Sequence, residues 1–308
     1  GLYVVCFGIT MALAMSLVGS LAASTVISRW FSKSRGRALG VSAAGTSVGG
    51  ILVPIMLTRA IELWGWRSAL EYLALMLVVV VLPFVFSTVR GRPEDVGLVI
   101  EESPASAQGD HVDAPLSLSN IVKAPAFWLI GLSLGLLFSA YSAVLANLSP
   151  YITSSGFSDQ QASAAIMVVA AMGLIGKLAF GLLADKISLK VGLWIAQVLA
   201  LIACVFIALE PSYVVVMIAA ILLGLAAGGM LPVWGALMAQ IFGMISYGRA
   251  MGMMSPIVTL CVLPSYTVTG AIFDSTGSFS AAWWLCSGII VLAMLLLGGL
   301  RMKAVAAT

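Results

Sequence analysis

The amino-acid sequence predicts an all-α polytopic membrane protein, on three observations: its composition, its long apolar runs and an internal repeat. Hydrophobic residues make up 61% of the 308 residues and charged residues only 9%, whereas soluble domains carry about 25% charged residues. Apolar runs recur along the chain at the length of about 20 residues that a helix needs to cross a bilayer. This composition excludes a soluble enzyme, and the net charge of +3 gives no indication of nucleic-acid binding.

Nine spanning helices are predicted, because a lone strand leaves backbone polar groups unpaired in lipid and no alternating, barrel-type pattern is present. The predicted helices are 3–28, 38–61, 66–89, 125–150, 160–184, 190–209, 213–237, 250–273 and 280–300. Thirteen of the fifteen basic residues fall on one side, and only Arg59 and Arg67 on the other. Because cytoplasmic loops carry the excess of lysine and arginine, the first side is predicted to be cytoplasmic. The C-terminus then lies inside and Gly1 outside.

A charged segment at 90–124 separates three of these helices from the other six. It holds six of the twelve acidic residues and three prolines, a composition typical of a solvated linker. The predicted organisation is therefore 1–89, the last three helices of a first bundle; 90–124, a cytoplasmic linker; 125–302, a second bundle of six helices; and 303–308, a cytoplasmic tail.

An internal repeat relates the two groups of helices. The pentapeptide GRALG at Gly36 returns as GRAMG at Gly248, 212 positions later, and the same offset places Gly65 on Gly277. Matches at both ends of a spanning helix are much stronger evidence for a repeat than one matching pentapeptide. Repeats in the same membrane orientation are a known transporter architecture. The repeat predicts two equivalent six-helix bundles, with nine of the twelve helices in this chain and three more upstream.

The chain resembles the major facilitator superfamily over all 308 residues. The stretch GLLADKISLK, residues 181–190, is similar to the loop motif G-x-x-x-D-R/K-x-G-R/K-R/K of that family, with Ser188 in place of the second glycine. The resemblance implies a two-bundle fold and a conformational latch, in which Asp185 docks at the helix that carries Arg249. A carboxylate is favoured there by the arginine and by the helix dipole. The implied latch residues are Gly181, Asp185, Lys186, Lys190, Arg249 and its repeat counterpart Arg37.

Three further stretches, RWFSKSRGRALG, GWRSA and RGRPEDVGL, look like the monocarboxylate-porter branch, which includes oxalate–formate antiporters. The resemblance implies a secondary active transporter, a symporter or antiporter of small carboxylates moved with a proton or in exchange. It also implies a monomer in the lipid bilayer of a bacterial inner membrane, with no cofactor. The alternatives are an exporter of another small molecule and a non-transporting membrane sensor.

Lys177 is the basic residue that most nearly enters the interior of a predicted helix. It lies eight residues before Asp185, roughly 12 Å along the helix, and charges within the membrane mark transport pathways. Its position matches that of a substrate-binding arginine of the monocarboxylate branch, but Gly173 stands where the branch has an aspartate. Contact with substrate or a gate, and snorkelling to the headgroups, are both open interpretations.

Polar and aromatic residues supply the other candidates for substrate binding or gating. Asn147 is costly to bury unpaired, so it faces a cavity or joins two helices. The full set of candidates is Lys177, Tyr141, Asn147, Tyr151, Trp234 and Tyr266. A membrane enzyme would need clustered carboxylates, histidines or a nucleophile motif. The single histidine and four cysteines, none in a C-x-x-C pair, indicate neither an enzyme nor a metal site.

Overall fold

A computed structural model describes residues 8–10, 13–14, 19–31, 34–91, 96–97, 116–184, 186–209 and 212–300. Within these residues the chain is a succession of helices. They are α1 (Ser20–Trp30), α2 (Arg35–Met76), α3 (Leu82–Thr88), α4 (Leu118–Lys123), α5 (Pro125–Ser154), α6 (Asp159–Ala184), α7 (Leu189–Leu209), α8 (Tyr213–Thr276) and α9 (Ser280–Gly298). A π-helical turn, Leu77–Val81, joins α2 to α3.

Seven segments of the described chain are long and apolar enough to cross a bilayer. They are Met56–Thr88, Pro125–Ser154, Asp159–Leu183, Leu189–Leu209, Tyr213–Gly243, Ile245–Thr276 and Ser280–Gly298. The last six coincide with the six helices predicted after residue 124. The helix predicted at 3–28 falls partly outside the described residues, and α1 is its longest described part. The prediction of an all-α polytopic membrane protein is confirmed.

Helix α8 reverses direction at Gly243. This residue has φ 71° and ψ 165°, a conformation that is essentially restricted to glycine. The reversal shows in the contact between the two arms, since a Cβ atom built on Gly235 would lie 3.2 Å from the Tyr247 hydroxyl. Twelve residues of straight helix would separate them by about 18 Å. We name the two arms α8a (Tyr213–Gly243) and α8b (Ile245–Thr276).

Helix α2 reverses in the same way at Gly65, with φ 78° and ψ 161°. Its arms, α2a before Gly65 and α2b after it, meet where the rings of Trp64 and Tyr72 pack edge-on at 5.1 Å. Gly277, which the repeat aligns with Gly65, also has a positive φ, of 69°. Gly65 therefore ends α2a and Gly277 ends α8b, and each of these two helices begins beside one copy of the repeated pentapeptide.

Small residues let α6 and α8a cross at backbone contact. A Cβ atom on Gly228 would lie 2.5 Å from the Cα of Gly176, and one on Gly224 would lie 2.5 Å from the carbonyl oxygen of Val169. Such crossings are typical of helices in membranes, where close packing replaces the hydrophobic driving force. The two helices lie so close together that no side chain would fit between them at these glycines.

A buried polar ladder joins α5, α7 and α9. The fully buried Gln197 donates through Nε2 to the Ser133 hydroxyl at 2.8 Å, and this hydroxyl donates to the Ala293 carbonyl oxygen at 2.8 Å. In a low-dielectric interior these bonds fix the register of three helices that are otherwise apolar. Most buried side chains belong to the same part of the chain, after residue 115.

The end of the predicted linker is docked on the first turns of α8b. Within the described residues, Leu116 donates its backbone N–H to the Ser246 hydroxyl at 2.8 Å and accepts from Arg249 Nη1 at 3.3 Å. The short helix α4 follows, with Ile121 completely buried. Leu116, Ile121 and Ala124 of the 90–124 segment are thus packed against the helices, whereas residues 117–119 and Lys123 are exposed.

We expect Gly243→Ala to lower stability by about 1–3 kcal/mol, because alanine is strained at this φ and ψ. Thermal unfolding in detergent, followed by size-exclusion chromatography, measures the change. Gly288→Ala is the matched control, since Gly288 is helical and has open space where its Cβ would lie. An unchanged midpoint for Gly243→Ala would show that the reversal does not depend on glycine.

Candidate functional site

A cavity of about 190 Å³ separates α1 and α2a from the two arms of α8. The described residues that line it are apolar except for a few hydroxyl groups and one indole, and none of them is acidic. The polar lining residues are Ser24, Ser42, Thr46, Trp234, Tyr247 and Ser255. A largely apolar cavity with a small number of convergent polar groups is the usual form of a small-molecule site.

Trp234, one of the predicted binding residues, lines this cavity and carries a buried donor without a partner among the described residues. Its side chain is only 7% exposed, and its indole Nε1 has no hydrogen-bond partner among the described residues. The ring of Phe138 packs edge-on against it at 6.1 Å, which fixes its orientation. A buried indole N–H normally finds a partner, so an acceptor atom of a ligand would be stabilised here.

Glycine contacts join α2a and α6 beside the cavity, on the side of Arg37, Lys186 and Arg249. A Cβ atom on Gly40 would lie 2.6 Å from the Lys177 carbonyl oxygen and 2.9 Å from the Cα of Gly181. Helices α2a and α6 therefore touch through their backbones, immediately beside the cavity. We call this the glycine floor.

Leu39 and Tyr247 complete the floor from the side of α8. Both side chains approach Gly235, where a Cβ atom would lie 3.3 Å from Leu39 Cδ1 and 3.2 Å from the Tyr247 hydroxyl. Both are also buried. Because Leu39 follows Arg37 by two residues and Tyr247 precedes Arg249 by two, the repeated arginines lie at the same end of the helices.

Lys177 lies beside the cavity and bonds to a residue that lines it. Its Nζ donates to Thr46 Oγ1 and to Ser47 Oγ, each at 2.7 Å, and Thr46 lines the cavity. The ammonium group is held by two hydroxyl groups of α2a. This contact tests neither the predicted contact with substrate or a gate nor the predicted snorkelling, so the role of Lys177 stays a prediction.

The remaining candidates for substrate binding lie in three different settings. Tyr151 is buried and donates to the Ile207 carbonyl oxygen at 2.9 Å, and Asn147 donates to Thr269 Oγ1 at 3.0 Å, so both join helices. Tyr141 is half-buried. Tyr266 is 47% exposed on α8b. None of the four lines the cavity described above, and their proposed roles stay predictions.

The residues of the predicted latch are only partly brought together. Lys190 donates to the carbonyl oxygens of Gly298 and Leu300 at 2.9 and 2.8 Å, which stabilises the C-terminal end of α9. Lys186 is exposed beyond α6. Arg249 binds the Leu116 carbonyl, and Asp185 lies outside the described residues, so their contact stays a prediction.

Sequence reasoning missed Thr46, Ser47 and the role of Gly40. The signal for Gly40 was present, since the pentapeptide GRALG is itself a G-x-x-x-G pattern, the pattern of close helix crossings in membranes. Hydroxyl groups are common in membrane helices, however, and nothing in the sequence marks Thr46 or Ser47 as partners of Lys177.

We expect Gly181→Ala to open the glycine floor, because its Cβ would lie 2.9 Å from the Gly36 carbonyl oxygen and 2.9 Å from the Gly40 Cα. Backbone atoms cannot move aside as a flexible side chain can, so α2a and α6 must separate. A Leu39→Cys probe in the floor should then react faster with a membrane-impermeant thiol reagent added from the basic side. Gly192→Ala is the control, since its Cβ would make only ordinary contacts. Equal protection of the probe in both variants would refute the floor.

Comparison with known proteins places this geometry in a family. The profile of the Major Facilitator Superfamily matches residues 1–209. The agnestins efflux protein of Paecilomyces divaricatus is 25% identical over 92% of this chain and 62% of its own length. Monocarboxylate transporter 12 of Homo sapiens is 24% identical over 96% of this chain and 61% of its own.

The solved structure of the proton:xylose symporter XylE superposes with a TM-score of 0.70 at 15% identity, over 94% of this chain and 70% of that one. The chain spans about six tenths of the length of the two curated relatives. Their family is one of transporters, which favours transport over a membrane enzyme. With two thirds of its residues matched by the family profile and the fold of a solved member, the chain belongs to the Major Facilitator Superfamily.

Proposed function

We propose that the full-length protein is a secondary active transporter that moves a small organic anion, of the monocarboxylate class, by alternating access. The observation that carries this proposal is a positive charge beside an acid-free cavity. Lys177 reaches the cavity wall at Thr46, and no described lining residue is acidic. In an apolar cavity an anion gains strongly from one cation, whereas a cationic substrate would be repelled.

The size of the cavity favours a small substrate. Sites for drug-sized ligands measure about 300–1,000 Å³, and this cavity measures about 190 Å³. The relatives carry both kinds of name, a monocarboxylate transporter and an efflux protein for a fungal product. A ligand of few heavy atoms fits the observed space, so the monocarboxylate class is the better match.

Trp234 supports the same class of ligand. Its unpartnered N–H and the Lys177 ammonium are both donors. Among the described residues, Trp234 lines the cavity from α8a, and Lys177 reaches from α6 to the lining residue Thr46. A carboxylate or carbonyl oxygen accepts from each. The protein would therefore hold its substrate by donors alone, without a metal or cofactor.

Orientation and coupling complete the proposal. The basic side is cytoplasmic by the distribution of lysine and arginine, so the glycine floor closes the cytoplasmic side and the C-terminus lies inside. Transport with a proton or in exchange, a monomeric state and a bacterial inner membrane stay predictions from the sequence. Export of another small molecule is the second candidate, favoured by the similarity to the efflux protein.

We expect Lys177→Gln to weaken carboxylate transport about ten- to a hundredfold in apparent affinity, because a hydrogen bond to a charged group contributes about 1.5–3 kcal/mol. Uptake of a panel of labelled carboxylates by proteoliposomes measures it. Lys123→Gln, at the exposed end of α4, is the control. Unchanged affinity and rate in Lys177→Gln would make Lys177 a structural residue. A wild type that carries no carboxylate would contradict the assignment to the monocarboxylate class and leave export or a sensor role.

We expect Asp185→Asn to reduce transport several-fold while leaving membrane insertion intact, because the proposed latch needs a full negative charge at Arg249. Arg249 spends one donor on Leu116, and a guanidinium has five, so it can hold a carboxylate as well. Asp159→Asn, at the other end of α6, is the control. Full uptake by Asp185→Asn, at equal protein level, would remove the latch from the mechanism.

A further inference from the structure

The Lys177 ammonium is held beside the cavity by a matched pair of hydroxyl oxygens. Thr46 Oγ1 and Ser47 Oγ both lie 2.7 Å from Nζ, a distance in the range of charge-assisted bonds. The Thr46 hydroxyl spends its own hydrogen on the Ala43 carbonyl at 2.7 Å, so its lone pairs face the ammonium. Two oxygens at equal distance from one cation are what a carboxylate would also provide.

This contact joins α2a, which belongs to the first group of helices, to α6, which belongs to the second. Lys177 itself belongs to the glycine floor, since its carbonyl oxygen is the atom nearest to a Cβ on Gly40. The hydroxyl groups belong to α2a and the ammonium to α6. Any movement that parts α2a from α6 must first break both bonds to Nζ.

We infer that Thr46 and Ser47 occupy the place of the substrate carboxylate in the empty protein, and that a bound carboxylate displaces them and so releases α6 from α2a. This inference rests on the proposed function and adds two gating residues to it. The hydroxyl pair solvates the cation while the cavity holds no ligand, which avoids the cost of a buried, unpartnered charge. The same pair holds the floor closed.

Because the anion must displace Thr46 and Ser47 when the floor is closed, it binds more tightly when the floor is open. In the closed state a carboxylate must compete with Thr46 and Ser47 for the ammonium. In a state with the floor open those bonds are already lost, so the carboxylate binds Lys177 without that competition. A ligand shifts an equilibrium by its difference in affinity for the two states, and the anion therefore favours the open floor.

The test measures the width of the floor with and without ligand. Spin labels at Val41 on α2a and Leu182 on α6, both exposed, report the separation in a full-length protein whose native cysteines are replaced. Pyruvate is the ligand, and its methyl ester is the neutral control. In the parent, pyruvate should lengthen the distance and the ester should not.

The variant Thr46→Val with Ser47→Ala should show the longer distance without any ligand. Each lost bond should raise the ratio of the long-distance to the short-distance population by about tenfold or more. Pyruvate should then add little. Lys177→Met removes the same contact from the other side and should give the same long distance with no response to pyruvate. Thr58→Val, on the same helix but without a bond to Lys177, is the matched control and should behave as the parent.

The outcomes separate this inference from the proposed function. If the parent binds pyruvate, but the double variant keeps the short distance, the hydroxyl pair does not hold the floor and the inference is overturned alone. If the parent binds no carboxylate of the panel, the proposed function fails, and the displacement step fails with it. A response to the methyl ester equal to that of pyruvate would overturn displacement by charge.

Discussion

The backbone contact between Gly36, Gly40 and Gly181 is the constraint on which the rest of the site depends. It brings α2a and α6 closer than any pair of side chains would allow. Only at that separation can the lysine on one helix reach two hydroxyl groups on the other at 2.7 Å. The same contact lies beside the cavity, on its basic side. Membrane helices gain no hydrophobic energy by associating, so this close packing, with its polar bonds, is what holds the two sides together.

Helix α6 has glycines on two of its faces. One contacts α2a at the glycine floor, and the other contacts α8a, which lines the cavity. Gly176 packs against Gly228 of α8a, and Gly181 packs against α2a. The first contact lies within one group of helices and the second lies between groups. A displacement of α6 away from α2a therefore carries α8a, and with it Trp234, in the same direction. The opening of the floor and a change in the cavity are parts of one movement.

The helices and the repeat could be predicted from the sequence, whereas the contacts between helices could not. Composition and run length determine where a helix crosses the membrane, and the six helices after residue 124 were found as predicted. The faces that meet depend on the rotation of each helix about its axis. The sequence of a helix that is apolar all round does not indicate which of its faces meets a neighbour. For this reason Thr46 and Ser47 could not be predicted as partners of Lys177.

The same limit explains the outcome for Tyr151 and Lys190. Each was selected by residue type and position, and each is bonded to a backbone carbonyl of a neighbouring helix in the described chain. The pentapeptide GRALG was used only to align the two halves. Its two glycines also form the floor, and the sequence could not distinguish these functions. The second copy, with Gly248 and Gly252, faces open space among the described residues.

Gly173 gives a physical reason why Lys177 has no acidic neighbour on its own helix. The carboxylate that related carriers would place four residues before the cation would have to stand at Gly173, which is buried against α8a. There the nearest atom to a Cβ would be the Gly224 carbonyl oxygen, at 3.6 Å. A Cβ atom there would make only an ordinary van der Waals contact, so packing does not exclude a side chain at this position. Because glycine supplies no carboxylate, the ammonium group takes its partners from α2a among the described residues and, in the proposed mechanism, from the ligand.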